Sequence, residues 1–109
     1  MSGDHCLTLV TCGSGTEGRD IARRLVADRL AAGVQLVPIS SVYTWEGEVV
    51  EDEEVLLICK TRSSLFGEIE EQVNRMHSYD VPPIVQISID SASAPYLGWI
   101  DEVTKASSS

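Results

Sequence analysis

Leu7 and Leu9 alternate with Cys6, Thr8 and Val10 between His5 and Cys12, the two-residue period of a strand. Gly13, Ser14 and Gly15 break that pattern. Ser14 followed by Glu17 three residues later has the form of a capping box, so a helix is predicted to open here. Its buried stripe is Ile21, Ala22, Leu25, Val26 and Leu30, with Arg19, Asp20, Arg23, Arg24 and Asp28 on the other face and Gly33 at its end.

The period then returns to that of a strand and stays there for almost thirty residues. One arm, Val34 to Trp45, meets a turn at Glu46, Gly47 and Glu48. The second arm resumes at Val49 and Val50 and, after the acidic break Glu51 to Glu54, runs from Val55 to Lys60. β-Branched and aromatic residues on both arms with glycine at the reversal predict a long β-hairpin. Each arm extends about 40 Å at roughly 3.3 Å per residue, well beyond an ordinary strand.

A second helix is predicted from about Ser63 and Ser64, with Leu65, Ile69, Val73 and Met76 on one face, ending near His77 and Ser78. Pro82 and Pro83 keep the stretch from Tyr79 out of a helix. A last strand, Ile84 to Asp90, sets Val85, Ile87 and Ile89 against Gln86, Ser88 and Asp90. Pro95 then opens a short helix carrying Tyr96, Leu97, Trp99, Ile100 and Val103. Residues 105–109 read as a flexible tail, leaving one domain over 1–109 with its core at about 5–104.

The order β-α-β-β-α-β with an added carboxy-terminal helix predicts an α+β, ferredoxin-like sandwich. Right-handed crossovers put both helices on one face and the first and third strands at the centre of the sheet. Val55 to Cys59 is apolar without alternation, so both sides of that strand require cover. The helices cover one side only. Self-association is expected to cover the other and to receive the hairpin's overhang.

Charge narrows the partners. A net charge of −9, from 8 Lys+Arg against 17 Asp+Glu, lacks the phosphate-neutralising surface that nucleic acid or an anionic membrane requires. No signal-peptide pattern opens the chain and no apolar run approaches the ~20 residues of a membrane span, so a cytoplasmic protein is expected. Cys6, Cys12 and Cys59 are odd in number and lie within apparent strands, which predicts reduced thiols.

Five stretches carry a family resemblance: Leu25 to Ala32, Ser41 to Gly47, Glu53 to Thr61, His77 to Pro82, and Tyr96 to Ile100. In this order they resemble the CutA divalent-cation tolerance proteins from about Leu7 to Ile100. The resemblance implies a ferredoxin-like subunit in a homotrimer built through its hairpins, with PII-like architecture. It also implies a role in tolerance to copper and other divalent cations, copper binding without catalysis, and no cofactor required for folding. The chain departs from the family pattern at Gly33, where a cysteine is common, and at Ser78, Asp80 and Pro83 in the turn. Cys12 stands near the end of the first strand, where the family commonly has threonine, alanine and proline.

His77 and Cys12 are the candidate metal ligands. Imidazole suits copper and zinc, although a histidine at a helix end also satisfies carbonyls there. A thiol at a strand end before Gly13 is either an exposed ligand or a small buried apolar group. No local spacing resembles a closed tetrahedral zinc site, so any metal site must draw on separate segments or subunits. Tyr43, Trp45, Glu46, Lys60 and Tyr79 form a second set, read either as a cleft for a small anionic effector between subunits or as interface packing with Lys60 paired to a carboxylate. Gly13 to Gly15 lacks the rest of a phosphate-binding motif, and no nucleophile elbow or kinase-type set is present, so an enzyme is not expected.

Overall fold

The computed structural model describes residues 3–106. Its elements are β1 (His5–Cys12), α1 (Gly15–Ala27), β2 (Gly33–Trp45), β3 (Glu48–Arg62), a 3-10 turn (Ser63–Leu65), α2 (Phe66–Met76), β4 (Ile84–Ser88) and α3 (Ala94–Val103). The strands form one sheet in the order β2-β3-β1-β4 with every pair antiparallel, the ferredoxin-like arrangement.

Helix α1 opens as its sequence dictates: the Ser14 hydroxyl accepts the Glu17 N–H at 3.2 Å. It closes earlier than predicted. Arg29 adopts a left-handed conformation at φ 59°, the N–H groups of Leu30 and Ala31 both turn back to the Leu25 carbonyl, and Gly33 begins β2 instead of ending the helix. The acidic run Glu51 to Glu54 breaks nothing either, because β3 passes through it and pairs with Ile39 to Val42. The hairpin turns on two residues, Glu46 at φ 50° and Gly47 at φ 82°, the signs of a type I′ turn matched to strand twist. The strand predicted to reach Asp90 ends at Ser88.

Register explains the unbroken apolar run in β3. Val55, Leu57, Cys59 and Thr61 point to the helices and pair across with Cys12, Val10, Thr8 and Cys6 of β1. With Ile21, Leu25, Leu65, Ile69 and Val73 from the helices they enclose the core. Leu56 and Ile58 point the other way, beside Thr11 and Leu9 of β1 and Val37 of β2, with Val85 and Ile87 of β4 completing that face. Only one end of it is covered. There α3 lies over the sheet, with Ile100 fully buried, Trp99 against Gly33, His5 bonded to Asp101 and Arg62 to Thr104. Val85 and Ile87 remain about half exposed.

Beyond the end of β1, residues 39–45 and 48–54 pair only with each other, a two-stranded overhang of about 23 Å. Trp45, Val42 and Val49 on it are more than 60% exposed. At the carboxyl end Lys105 is tied down, bonded to the Arg29 carbonyl and paired with Glu68 at 2.8 Å; residues 107–109 lie outside the described residues.

Leu57 sits fully buried between α1 and the sheet. Leu57→Ala is expected to lower stability by about 2–5 kcal/mol, read as an earlier urea midpoint at fixed protein concentration. An unchanged midpoint would contradict this packing.

Candidate functional site

The end of β1, the start of α1 and the turn after α2 meet at one point. Glu17 looks like half of a capping box, but its carboxylate does not return to the Ser14 N–H. It accepts from the Gly13 N–H at 3.3 Å and, across the fold, from the Ser78 N–H at 2.8 Å. Burial pushes its carboxyl pKa up, and the bonds from Ser78 and Gly13 with the nearby His77 ring outweigh this, so the net direction is down.

His77 caps the end of α2 with its backbone, and its side chain is fully buried. Nε2 lies 2.7 Å from the Thr11 carbonyl, while Nδ1 accepts the Tyr79 N–H at 3.1 Å. In the neutral form of the ring, accepting at Nδ1 leaves the proton on Nε2, which donates to Thr11. The carbonyl satisfied by this histidine is therefore at a strand end, not a helix end. Cys12 is fully buried, and burial first, then the Glu17 and Glu54 carboxylates, push its thiol up to about 11.

Cys12, Glu17 and His77 bring one ligand atom each to within 4.8 Å of one another. The sequence points to two of the three; Glu17 is masked because its spacing from Ser14 already gives it a capping role. A thiol, a carboxylate and an imidazole make a donor set suited to copper or zinc. Gly33 cannot join them within one subunit: it pairs with Lys60, five residues along β3 from the partner of Cys12, roughly 17 Å away. A side chain there would meet Trp99 at 3.6 Å on the opposite face of the sheet.

Tyr79 stands between this cluster and a cleft on the open face. Its ring lies 4.7 Å from that of His77, its hydroxyl donates to Glu54 at 2.7 Å, and Gly13 leaves it room, since a Cβ there would fall 3.0 Å from the Tyr79 oxygen. The cleft encloses about 780 Å³ between the hairpin and the turn, walled by Tyr43, Trp45 and Tyr79 with Asp52, Glu54 and Asp80. Tyr43 donates to Asp52, and that hydrogen bond heads the causes that push its phenol up to about 12. Within one subunit Lys60 and Glu46 do not line this cleft. Lys60 lies toward the far end of β3, where it donates to Gln35, and Glu46 occupies the hairpin tip.

The CutA1 divalent ion tolerance family model matches residues 6–103. The chain belongs to this family. It is 44% identical over 99 residues to the divalent-cation tolerance protein CutA of Thermus thermophilus, covering 90% of this chain and 96% of that one. A CutA homolog of Xenopus laevis is 41% identical over 104 residues, 94% of this chain and 69% of the relative, whereas the match spans 60% of the mouse CutA protein. The structure of the periplasmic divalent cation tolerance protein CutA from Archaeoglobus fulgidus superposes with a TM-score of 0.91 at 40% identity, covering 93% of this chain and 99% of that one.

Because the Glu17 pKa is lowered on folding, its ionised form stabilises the fold above the ordinary carboxylate value of 4.5. That contribution is lost as pH falls through 4.5 toward the lowered value. Glu17→Gln is expected to shrink the loss of stability between pH 7 and pH 3.5, measured by urea unfolding with chelator present. An equal loss in both proteins would contradict the lowered pKa.

Proposed function

We propose that this CutA1-family chain serves divalent-cation tolerance as a homotrimer that binds copper or another divalent cation weakly at Cys12, Glu17 and His77. The observation that carries the reading is the convergence of these three side chains, from three separate segments, to within 4.8 Å. Affinity is modest because the cation must take His77 from its present partners and displace a proton from a buried thiol. No catalytic step enters this reading.

Trimer formation is supported by the apolar open face and the exposed hairpin residues, which need a partner surface of matching shape. A cytoplasmic location is supported by three buried cysteines without disulfides. The PII-like alternative, an effector cleft between subunits, is supported by Tyr43, Trp45 and Tyr79, which line one cleft within the subunit, whereas Lys60 lies apart from them on the same chain and would have to come from a neighbouring subunit.

Isothermal titration of reduced, metal-free protein with copper and with zinc tests the site. Saturable binding is expected, stronger at pH 8.5 than at pH 6.5 because the Cys12 proton must leave, and weakened at least tenfold in Cys12→Ser and His77→Ala. Binding unaltered in both variants would place the cation elsewhere. The assembly has its own test: Trp45→Asp puts a charge into the proposed subunit contact and is expected to yield monomer or aggregate in sedimentation. An unaltered trimer would remove the hairpin from the interface.

A further inference from the structure

His77 has one lone pair to offer a cation, and that lone pair already has a partner. Nε2 is committed to the Thr11 carbonyl at 2.7 Å, so in the neutral ring the available pair sits on Nδ1. Nδ1 is also the ring atom facing Glu17, 4.0 Å from Oε1. A ligating histidine commonly gives its other N–H to a backbone carbonyl in this way. Yet Nδ1 accepts the Tyr79 N–H at 3.1 Å. One lone pair cannot serve both, so coordination through Nδ1 releases the Tyr79 amide. Glu17 gives up less: Oε1 holds only the longer bond from the Gly13 N–H at 3.3 Å, while Oε2 keeps the Ser78 N–H at 2.8 Å.

Tyr79 is not at liberty to follow. Its hydroxyl donates to Glu54 at 2.7 Å, and its ring lies against His77 and over Gly13. Glu54 pairs with Ile39 at the root of the overhanging hairpin, one residue beyond the last pair of β3 with β1, Val55 with Cys12. It is only 7% exposed in the single subunit, so the link from His77 through Tyr79 to Glu54 is made inside the chain and needs no open surface.

We propose that Tyr79 couples the cation site to the hairpin, an inference that rests on the site proposed at Cys12, Glu17 and His77. The Tyr79 amide is bonded to Nδ1 without a cation and released with one, and the hydroxyl passes the change to Glu54. Such coupling is reciprocal. The Tyr79–Glu54 bond holds the amide on Nδ1 and lowers cation affinity, and a hairpin shifted by its subunit contacts changes that affinity in turn. Tyr79 and Glu54 are positioning residues, not ligands.

The test is zinc titration of the reduced, assembled protein, followed by calorimetry, amide resonances and hydrogen exchange. With zinc bound, the wild-type Tyr79 amide is expected to exchange about tenfold faster. Resonances of Ser41 and Asp52, paired farther along the hairpin, should shift at the same saturation. Tyr79→Phe keeps the ring and the amide but loses the hydroxyl. It should bind zinc about fivefold more tightly, with the amide still released and the hairpin shifts lost. Glu54→Gln keeps an oxygen to accept the hydroxyl and should keep the hairpin shifts. Sedimentation confirms the assembly of each variant. Zinc binding that leaves the Tyr79 amide protected would overturn the proposal, as would hairpin shifts that persist in Tyr79→Phe or a zinc affinity that this change leaves equal or weaker. An absence of saturable zinc binding in the wild type would remove the site itself, and the coupling with it.

Discussion

The whole fold depends on covering β3 on both faces. From Val55 to Cys59 every side chain is apolar, so strand alternation sends Val55, Leu57 and Cys59 to the helices and Leu56 and Ile58 to the other side. The subunit can satisfy the first demand with α1 and α2. It meets the second only at one end, where α3 lies over the sheet. A two-stranded ribbon is marginal by itself in water, so the overhanging hairpin poses the same problem again. A symmetric assembly that buries open face and hairpin together answers both.

The polar network at the other end of β1 makes a different kind of contribution. Glu17 joins α1 to the turn after α2 through Ser78, and His77 joins that turn to the last carbonyls of β1 through Thr11. Three segments are thereby fixed around a buried thiol. The same contacts that give this corner its rigidity also occupy its ligand atoms, so a cation would have to compete with the fold for them. That competition accounts for proposing weak binding in place of a closed, high-affinity centre. Tyr79 connects the corner to the aromatic cleft, stacking near His77 on one side and bonding Glu54 on the other.

Local chemistry made most of the fold readable in the sequence. The Ser14 cap, Gly47 in the hairpin turn, the stripe through Ile69 and Val73, and the alternation from Leu7 to Val10 each act through near neighbours, and each element appears where they place it. The errors arose where a distant contact overruled local pattern. Leu30 keeps helical spacing, yet its N–H turns back to Leu25 and the chain leaves the helix, because Ala32 must reach the Lys60 carbonyl to begin the sheet. Glu51 to Glu54 reads as a solvated break, yet the ladder to Ile39 through Val42 carries the strand straight through it. At the site, His77 and Cys12 are visible as chemical types, whereas Glu17 is hidden by its apparent capping role, and the separation of Lys60 from the cleft of its own subunit follows only from strand register.

The central claim is that the open face of the sheet is closed by further copies of the chain. Sedimentation equilibrium of the wild-type protein over a hundredfold dilution, without added metal, tests it most directly. The mass of three 11.9 kDa chains should persist across the range. A well-folded monomer at every concentration would contradict it, because Leu56, Ile58, Val85 and Ile87 would then stand in water without consequence.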